Sequence, residues 1–198
     1  NLKEAGISVL TLCWNGENEI ASGAKAVGGI TSFGRKVVAE LERSNIVIDV
    51  SHLNEESFWD VAKIASRPFV ATHSNAYSIC PHRRNLKDDQ IKAIRDFGGL
   101  IGLNFYVEFL GGDSNKGVDS LIRHSEHFLK LKCEDVLVIG SDFDGAKMPE
   151  DILDISYIPR LKERFVSEFG ADLTEKIFFN NAQDFFDRQG LFKKGESD

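Results

Sequence analysis

IVIDVSH, residues 46–52, is a short apolar, β-branched run that ends on a histidine. FVATH, residues 69–73, repeats the design, and VLVIGSD, residues 136–142, repeats it again with an aspartate at the end. A buried strand that delivers a polar, metal-competent side chain at its C-terminal end suits the mouth of an α/β barrel. Side chains alternate along a strand. Ile48, Val50 and His52 are therefore expected on one face, Phe69, Ala71 and His73 on the next strand's, and Val138, Gly140 and Asp142 on a third. If these faces line a barrel, two imidazoles and a carboxylate meet at its mouth. A single histidine of this kind is more often an ordinary strand-end residue; its recurrence in equivalent places points to a site.

The flanking sequence fits strand–loop–helix units. GISVLTLCW, residues 6–14, reads as a first strand with Leu10, Leu12 and Trp14 on one face, followed by a Gly- and Asn-rich loop. Residues 31–44 read as a helix capped by Thr31 or Ser32, with Phe33, Val37, Val38 and Leu41 as its apolar stripe. Asn54 caps a helix through 65 that buries Phe58, Val61, Ala62 and Ala65, and Arg67–Pro68 stops it. Asp88 or Asp89 opens the next helix, and Gly98–Gly99 closes it before a strand at 100–106 and a Gly-rich loop around Gly111–Gly112. A helix over 118–131 turns Leu121, Ile122, Ser125 and Phe128 inward, and its His124 and His127 are expected in helix or surface contacts. Helices over 159–169 and 173–186 close the chain, and the tail from 189 is expected to fray.

The alternation yields five βα units and a parallel sheet in one domain over 1–198. A complete barrel has eight strands and roughly 250 residues. The expectation is a partial TIM-type (β/α)8 barrel lacking its N-terminal strands, in a chain that opens in mid-pattern on Asn1. The rival is an open doubly wound sheet, but no GxGxxG or P-loop follows any strand.

Composition narrows the function classes. With 42% hydrophobic and 28% charged residues the chain is globular, and a net charge of −7 gives no electrostatic footprint for nucleic acid. No apolar run approaches the roughly 20 residues that span a bilayer. Cys13, Cys80 and Cys133 have no CxxC spacing and read as reduced thiols, which suggests a reducing, cytoplasmic compartment.

A catalytic zinc site takes about three protein ligands and leaves a position open. His52 and His73 supply two; Asp142 is either a ligand or the base that takes a proton from metal-bound water. In SDFDG, Asp142 is preferred to Asp144, which suits a turn. Arg83 and Arg84 follow His73 on one loop, where a guanidinium could hold the carboxylate of an acidic or zwitterionic substrate. Tyr106 either donates to substrate or packs.

SFGRKVVAELERSNIVIDVSH, THSNAYSICPHRRN and IGSDFDG, in this order, resemble the membrane (renal-type) dipeptidase family of zinc metallopeptidases, peptidase family M19, over essentially the whole chain. The resemblance implies a (β/α)8 barrel that cleaves dipeptides with two zinc ions bridged by a glutamate and a hydroxide. It makes His52 and His73 ligands of one zinc, Asp142 the proton-handling group and Arg84 the partner of the substrate's C-terminal carboxylate, with Tyr106 a further contact. Trp14 and Asn15 stand where many members carry a substrate-binding histidine, and are pocket candidates. The family's upstream His-x-Asp and bridging glutamate have no counterpart here. The chain is therefore expected to hold zinc weakly and to be inactive alone, with the N-terminal part of the same barrel or a homo-oligomeric partner covering its open edges. The alternatives are a related amidohydrolase or lactonase and a non-catalytic barrel fragment.

Overall fold

The apolar runs form parallel ladders in chain order. In the computed structural model, which describes residues 2–191, β1 (Val9–Thr11) pairs with β2 (Val47–Asp49). The FVATH run is not a regular strand. It lies extended between neighbours, bridged in parallel to β2 at Asp49–Val70 and to β3 (Ile101–Asn104) at Ala71–Ile101. β4 (Leu137–Ser141) then pairs with β3. Among the described residues β1 and β4 do not pair with each other.

Parallel neighbours need crossovers, and helices supply them. α1 (Ser32–Arg43) starts where the Thr31 side chain accepts from the Gly34 N–H. α2 (Glu55–Ile64) starts where Asn54 accepts from Ser57 N–H, and Lys63 sits in its last turn, where the helix dipole favours a cation. α3 (Asp88–Asp96) follows, then α4 (Val107–Leu110) and α5 (Gly117–Lys130) between β3 and β4. After β4 come α6 (Ile158–Phe169), α7 (Ala171–Glu175) and α8 (Asn181–Arg188), the last two joined by a π turn at Lys176–Asn180. Among the described residues no helix is long and apolar enough to cross a membrane. All three cysteines are free, and Cys13 and Cys133 are buried.

Several local expectations change. Phe33 is 55% exposed, and Gly34 takes its inward place because the Ile20 carbonyl lies where a Cβ would sit. The strand expected over 100–106 ends at Asn104, whose side-chain oxygen accepts from Tyr106 N–H and turns the chain into α4. The helix expected over 173–186 is interrupted by the π turn. Of the expected frayed tail, residues 192–198 lie outside the described residues; Gln189 accepts from Asn45 and Arg67 side chains, and Leu191 packs on the body.

The sheet has two unlike faces, and the alternation argument put two strands the wrong way round. Ile46, Ile48 and Val50, with Phe69 and Ala71, pack with Val38, Leu41, Phe58 and Val61 in the main core beneath the helices. The opposite face carries Val47, Val70, Leu100 and Val138 near the strand starts, where α8 buries Phe185 against them. Further along that second face come Thr11, Asp49 and Thr72, so it is apolar and plugged at one end and polar at the carboxyl ends of the strands. The strands also approach closely there. A Cβ at Gly102 or Gly140 would lie 1.9 or 2.0 Å from the Thr72 carbonyl oxygen, so only glycine fits on either neighbour.

Candidate active site

His52 reaches the carboxyl end of the sheet by a turn rather than by strand alternation. Leu53 N–H donates to the Val50 carbonyl, and His52 itself takes φ 73. Ser141, Asp142 and Asp144 are likewise left-handed, with φ 36, 72 and 64. Non-glycine residues in that region are strained, and such strain concentrates at functional loops. The turns bring together what the face argument could not: His52 Nε2 lies 2.9 Å from His73 Nε2.

The protons on these rings follow from their other nitrogens. His52 Nδ1 is 3.0 Å from Asn15 Oδ1, an acceptor, so Nδ1 carries the hydrogen. His73 Nδ1 is 2.7 Å from Thr72 Oγ1, and that hydroxyl donates to Asp49 Oδ2 at 2.7 Å. Thr72 can then only accept from His73 Nδ1–H. Burial holds both imidazoles below the usual histidine range, His52 at about 4, with the Arg84 charge adding to the effect and Asp49 opposing it. Two neutral rings therefore aim Nε2 lone pairs at one another, an arrangement that a cation between them relieves. One ion at the usual nitrogen–metal length of about 2.0–2.1 Å can touch both. Among the described residues no group of three His, Cys, Asp or Glu side chains is placed to hold one ion, so this pair could supply two ligands and no more.

Arg84 is 6% exposed. Among the described residues its Nη2 reaches only the His73 carbonyl, at 3.4 Å, and its Nε has no partner; its guanidinium lies 5.4 Å from the Phe109 ring centre. Burial lowers it to about 10, against the opposing pull of Asp49 and Asp142, so it stays charged at neutral pH. Among the described residues no carboxylate forms a salt bridge with it. A buried charge without a paired anion is costly, and this one suits an anionic ligand group.

A cavity of about 640 Å³ is lined by Trp14, Asn15, His52, Arg84, Tyr106 and Asp142 among others, and His73 lies beside it on a smaller cleft shared with His52 and Trp14. Asp142 Oδ2 accepts from Asn104 Nδ2 at 3.0 Å. Asp144 is exposed and does not line the cavity. Trp14 is 72% exposed, its ring 6.3 Å from that of His52. Tyr106 packs edge-on against Phe109. His82 is half-buried on Phe109 and lines the cavity, its Nδ1 accepting from Arg84 N–H. His124 and His127 stay apart from the site: His124 Nδ1 accepts from Ala76 N–H, and His127 Nε2 meets Asp88 Oδ1 at 2.7 Å.

Three polar residues around the site escaped the sequence reading. Asp49 is 1% exposed and accepts four hydrogen bonds, from the Thr11 and Thr72 hydroxyls and from the Ser51 and Thr72 backbone N–H groups. Thr72 bridges it to His73, and Asn104 holds Asp142. The available signal was a lone charge, Asp49, inside an apolar β-branched run. Such a charge inside a buried strand needs partners.

Comparison with known proteins finds matches over most of the chain. The family model "Membrane dipeptidase (Peptidase family M19)" matches residues 1–189. A Klebsiella pneumoniae protein encoded in the pqqA 5′ region is 38% identical over 190 residues, covering 89% of this chain and 70% of that protein. An uncharacterised dipeptidase of Schizosaccharomyces pombe is 28% identical, covering 84% of this chain and 42% of that one. Among solved structures, a Rhodobacter sphaeroides metallopeptidase liganded with a phosphinate mimic of the dipeptide L-Ala-D-Ala superposes with a TM-score of 0.91 at 34% identity. That match covers 95% of this chain and 57% of that structure. The dipeptidase AC, a metallopeptidase of family M19, gives 0.87 at 34% identity and covers 96% and 58%.

Proposed function

Because this chain belongs to the membrane dipeptidase family, peptidase family M19, we propose that its protein is a zinc-dependent dipeptidase and that these residues form one half of a dinuclear site. The observation that carries the proposal is the pair of neutral imidazoles with Nε2 atoms 2.9 Å apart beside a buried guanidinium that has no salt-bridge partner among the described residues. Zinc, when bound, supplies Lewis-acid polarisation of the scissile carbonyl and a lowered pKa for attacking water. His52 and His73 would hold it through Nε2. Arg84 takes the substrate's free carboxylate, which fixes the dipeptide's end in the cavity. Asp142, steadied by Asn104, receives the water's proton and returns it to the leaving amine. Trp14 and Tyr106 form the rim against which the substrate's side chains lie, and Asn15 orients His52. The mimic bound by the Rhodobacter sphaeroides relative supports a small dipeptide as substrate class.

The parallel run from β1 to β4 is proposed as part of an eight-stranded barrel. The remaining strands of the longer polypeptide, or a second copy, would pair with the free edges of β1 and β4. With two imidazoles as its share of the ligands, the isolated chain would bind zinc weakly and turn over no dipeptide. The three free thiols suit a cytoplasmic setting.

The test is release of amino acids from L-Ala-D-Ala and L-Ala-L-Ala by the full-length protein with zinc. Activity should vanish on chelation and in His52→Ala and His73→Ala. Activity that survives chelation, or hydrolysis of lactones with none of dipeptides, contradicts the proposal.

A further inference from the structure

Among the described residues Asp49 hydrogen-bonds neither His52 nor His73, yet the Thr72 hydroxyl connects it to His73. Its two oxygens are not equivalent. Oδ1 faces two backbone donors, Ser51 N–H at 2.9 Å and Thr72 N–H at 3.0 Å. Oδ2 faces two hydroxyls, Thr11 and Thr72, both at 2.7 Å. A carboxylate oxygen only accepts, so the single hydroxyl proton of Thr72 is drawn to Asp49. Thr72 Oγ1 is then left with lone pairs toward His73 Nδ1, 2.7 Å away, and toward Ser51 Oγ, 3.3 Å away. Ser51 Oγ in turn accepts the backbone N–H of His73 at 3.1 Å, which fixes the base of the same side chain.

We propose that Asp49 and Thr72 are positioning residues that lock His73 in its Nδ1–H tautomer and so keep the Nε2 lone pair aimed at the ion shared with His52. The role of that ion rests on the function proposed above; the tautomer does not. The substitution Asp49→Asn tests the relay because the site dictates how the new amide sits. The two backbone N–H groups still demand an oxygen, so the carbamoyl oxygen takes the place of Oδ1 and the NH2 group takes that of Oδ2. The amide then donates to Thr11 and Thr72. Thr72 must send its proton elsewhere, and the nearest acceptor is His73 Nδ1. The ring is driven to the Nε2–H form, which leaves no lone pair at Nε2 for a metal. One isosteric change thus reverses the polarity of the whole chain of bonds.

The readout is the long-range 1H–15N spectrum of histidine side chains in the metal-free full-length protein near pH 7.5, paired with a zinc titration. Wild type should show His73 Nδ1 as the protonated nitrogen, and Asp49→Asn should show Nε2. Thr72→Ser, which keeps the hydroxyl, should retain the wild-type tautomer and zinc affinity. Asp49→Asn should weaken zinc binding by roughly 10–100-fold, the usual cost of losing an outer-shell partner. If Asp49→Asn does not fold, Thr72→Val carries the same test: without the hydroxyl the tautomers should mix and zinc binding should weaken. Variants that fold and keep both the wild-type tautomer and the wild-type affinity overturn the relay. Absence of zinc binding in wild type would remove the proposed function, while tautomer reversal alone would still decide the relay.

Discussion

Replacing His124 by glutamine should remove a large acid-sensitive term from the stability of this protein. His124 is fully buried on α5, and its Nδ1 accepts the backbone N–H of Ala76, which ties the loop after His73 to the helix. Burial, with lesser contributions from Arg123 and His127, lowers it to about 3 from an ordinary 6.5. The unfolded chain therefore binds the proton more readily. The stabilisation is complete above pH 6.5 and is lost as pH falls from 6.5 toward 3. Between pH 7 and pH 5 this group alone should cost about 2 kcal/mol, and the figure hardly changes for any folded value below about 4. Glutamine keeps an acceptor for Ala76 N–H but does not titrate. Urea denaturation of wild type and His124→Gln at both pH values gives the comparison. The wild type should lose about 2 kcal/mol more than the variant, since His52 and His73 titrate in both. Equal losses would refute a buried, neutral His124.

Three further outcomes follow from the packing and the site. Gly102→Ala places a methyl group 1.9 Å from the Thr72 carbonyl oxygen and should destabilise by about 1–3 kcal/mol in thermal or urea melts. Phe185→Ala empties the plug of the second sheet face and should cost about 3–5 kcal/mol. In the full-length enzyme, Arg84→Lys should raise KM for dipeptides by roughly 10-fold or more with a smaller change in kcat, because a point charge lacks the bidentate fork.

What could be read in advance followed the strength of the local signals. The caps Thr31 and Asn54 and the order of the parallel runs were legible because capping chemistry and β-branched runs act locally. The convergence of His52 and His73 was anticipated for a reason that does not hold. Alternation assigned Ile48 and Val50 to the face of His52, whereas they pack under the helices, and His52 arrives through a left-handed turn. No periodicity encodes such a turn at a non-glycine residue. The short helix Val107–Leu110 was missed because its start is set by Asn104, a tertiary contact of Asn75 and Asp142 rather than a local cap. Asp49 was passed over because burial of a strand is read from its apolar residues. Its meaning lies in Thr11 and Thr72, which are distant in sequence.

The central claim is that His52 and His73 share one metal ion. Anomalous diffraction at the zinc edge, from crystals of the full-length protein grown with zinc, tests it most directly. The account predicts a peak about 2.0–2.1 Å from Nε2 of both rings. A peak bound to only one of them, or no peak at this pair while zinc occupies another place, would contradict it.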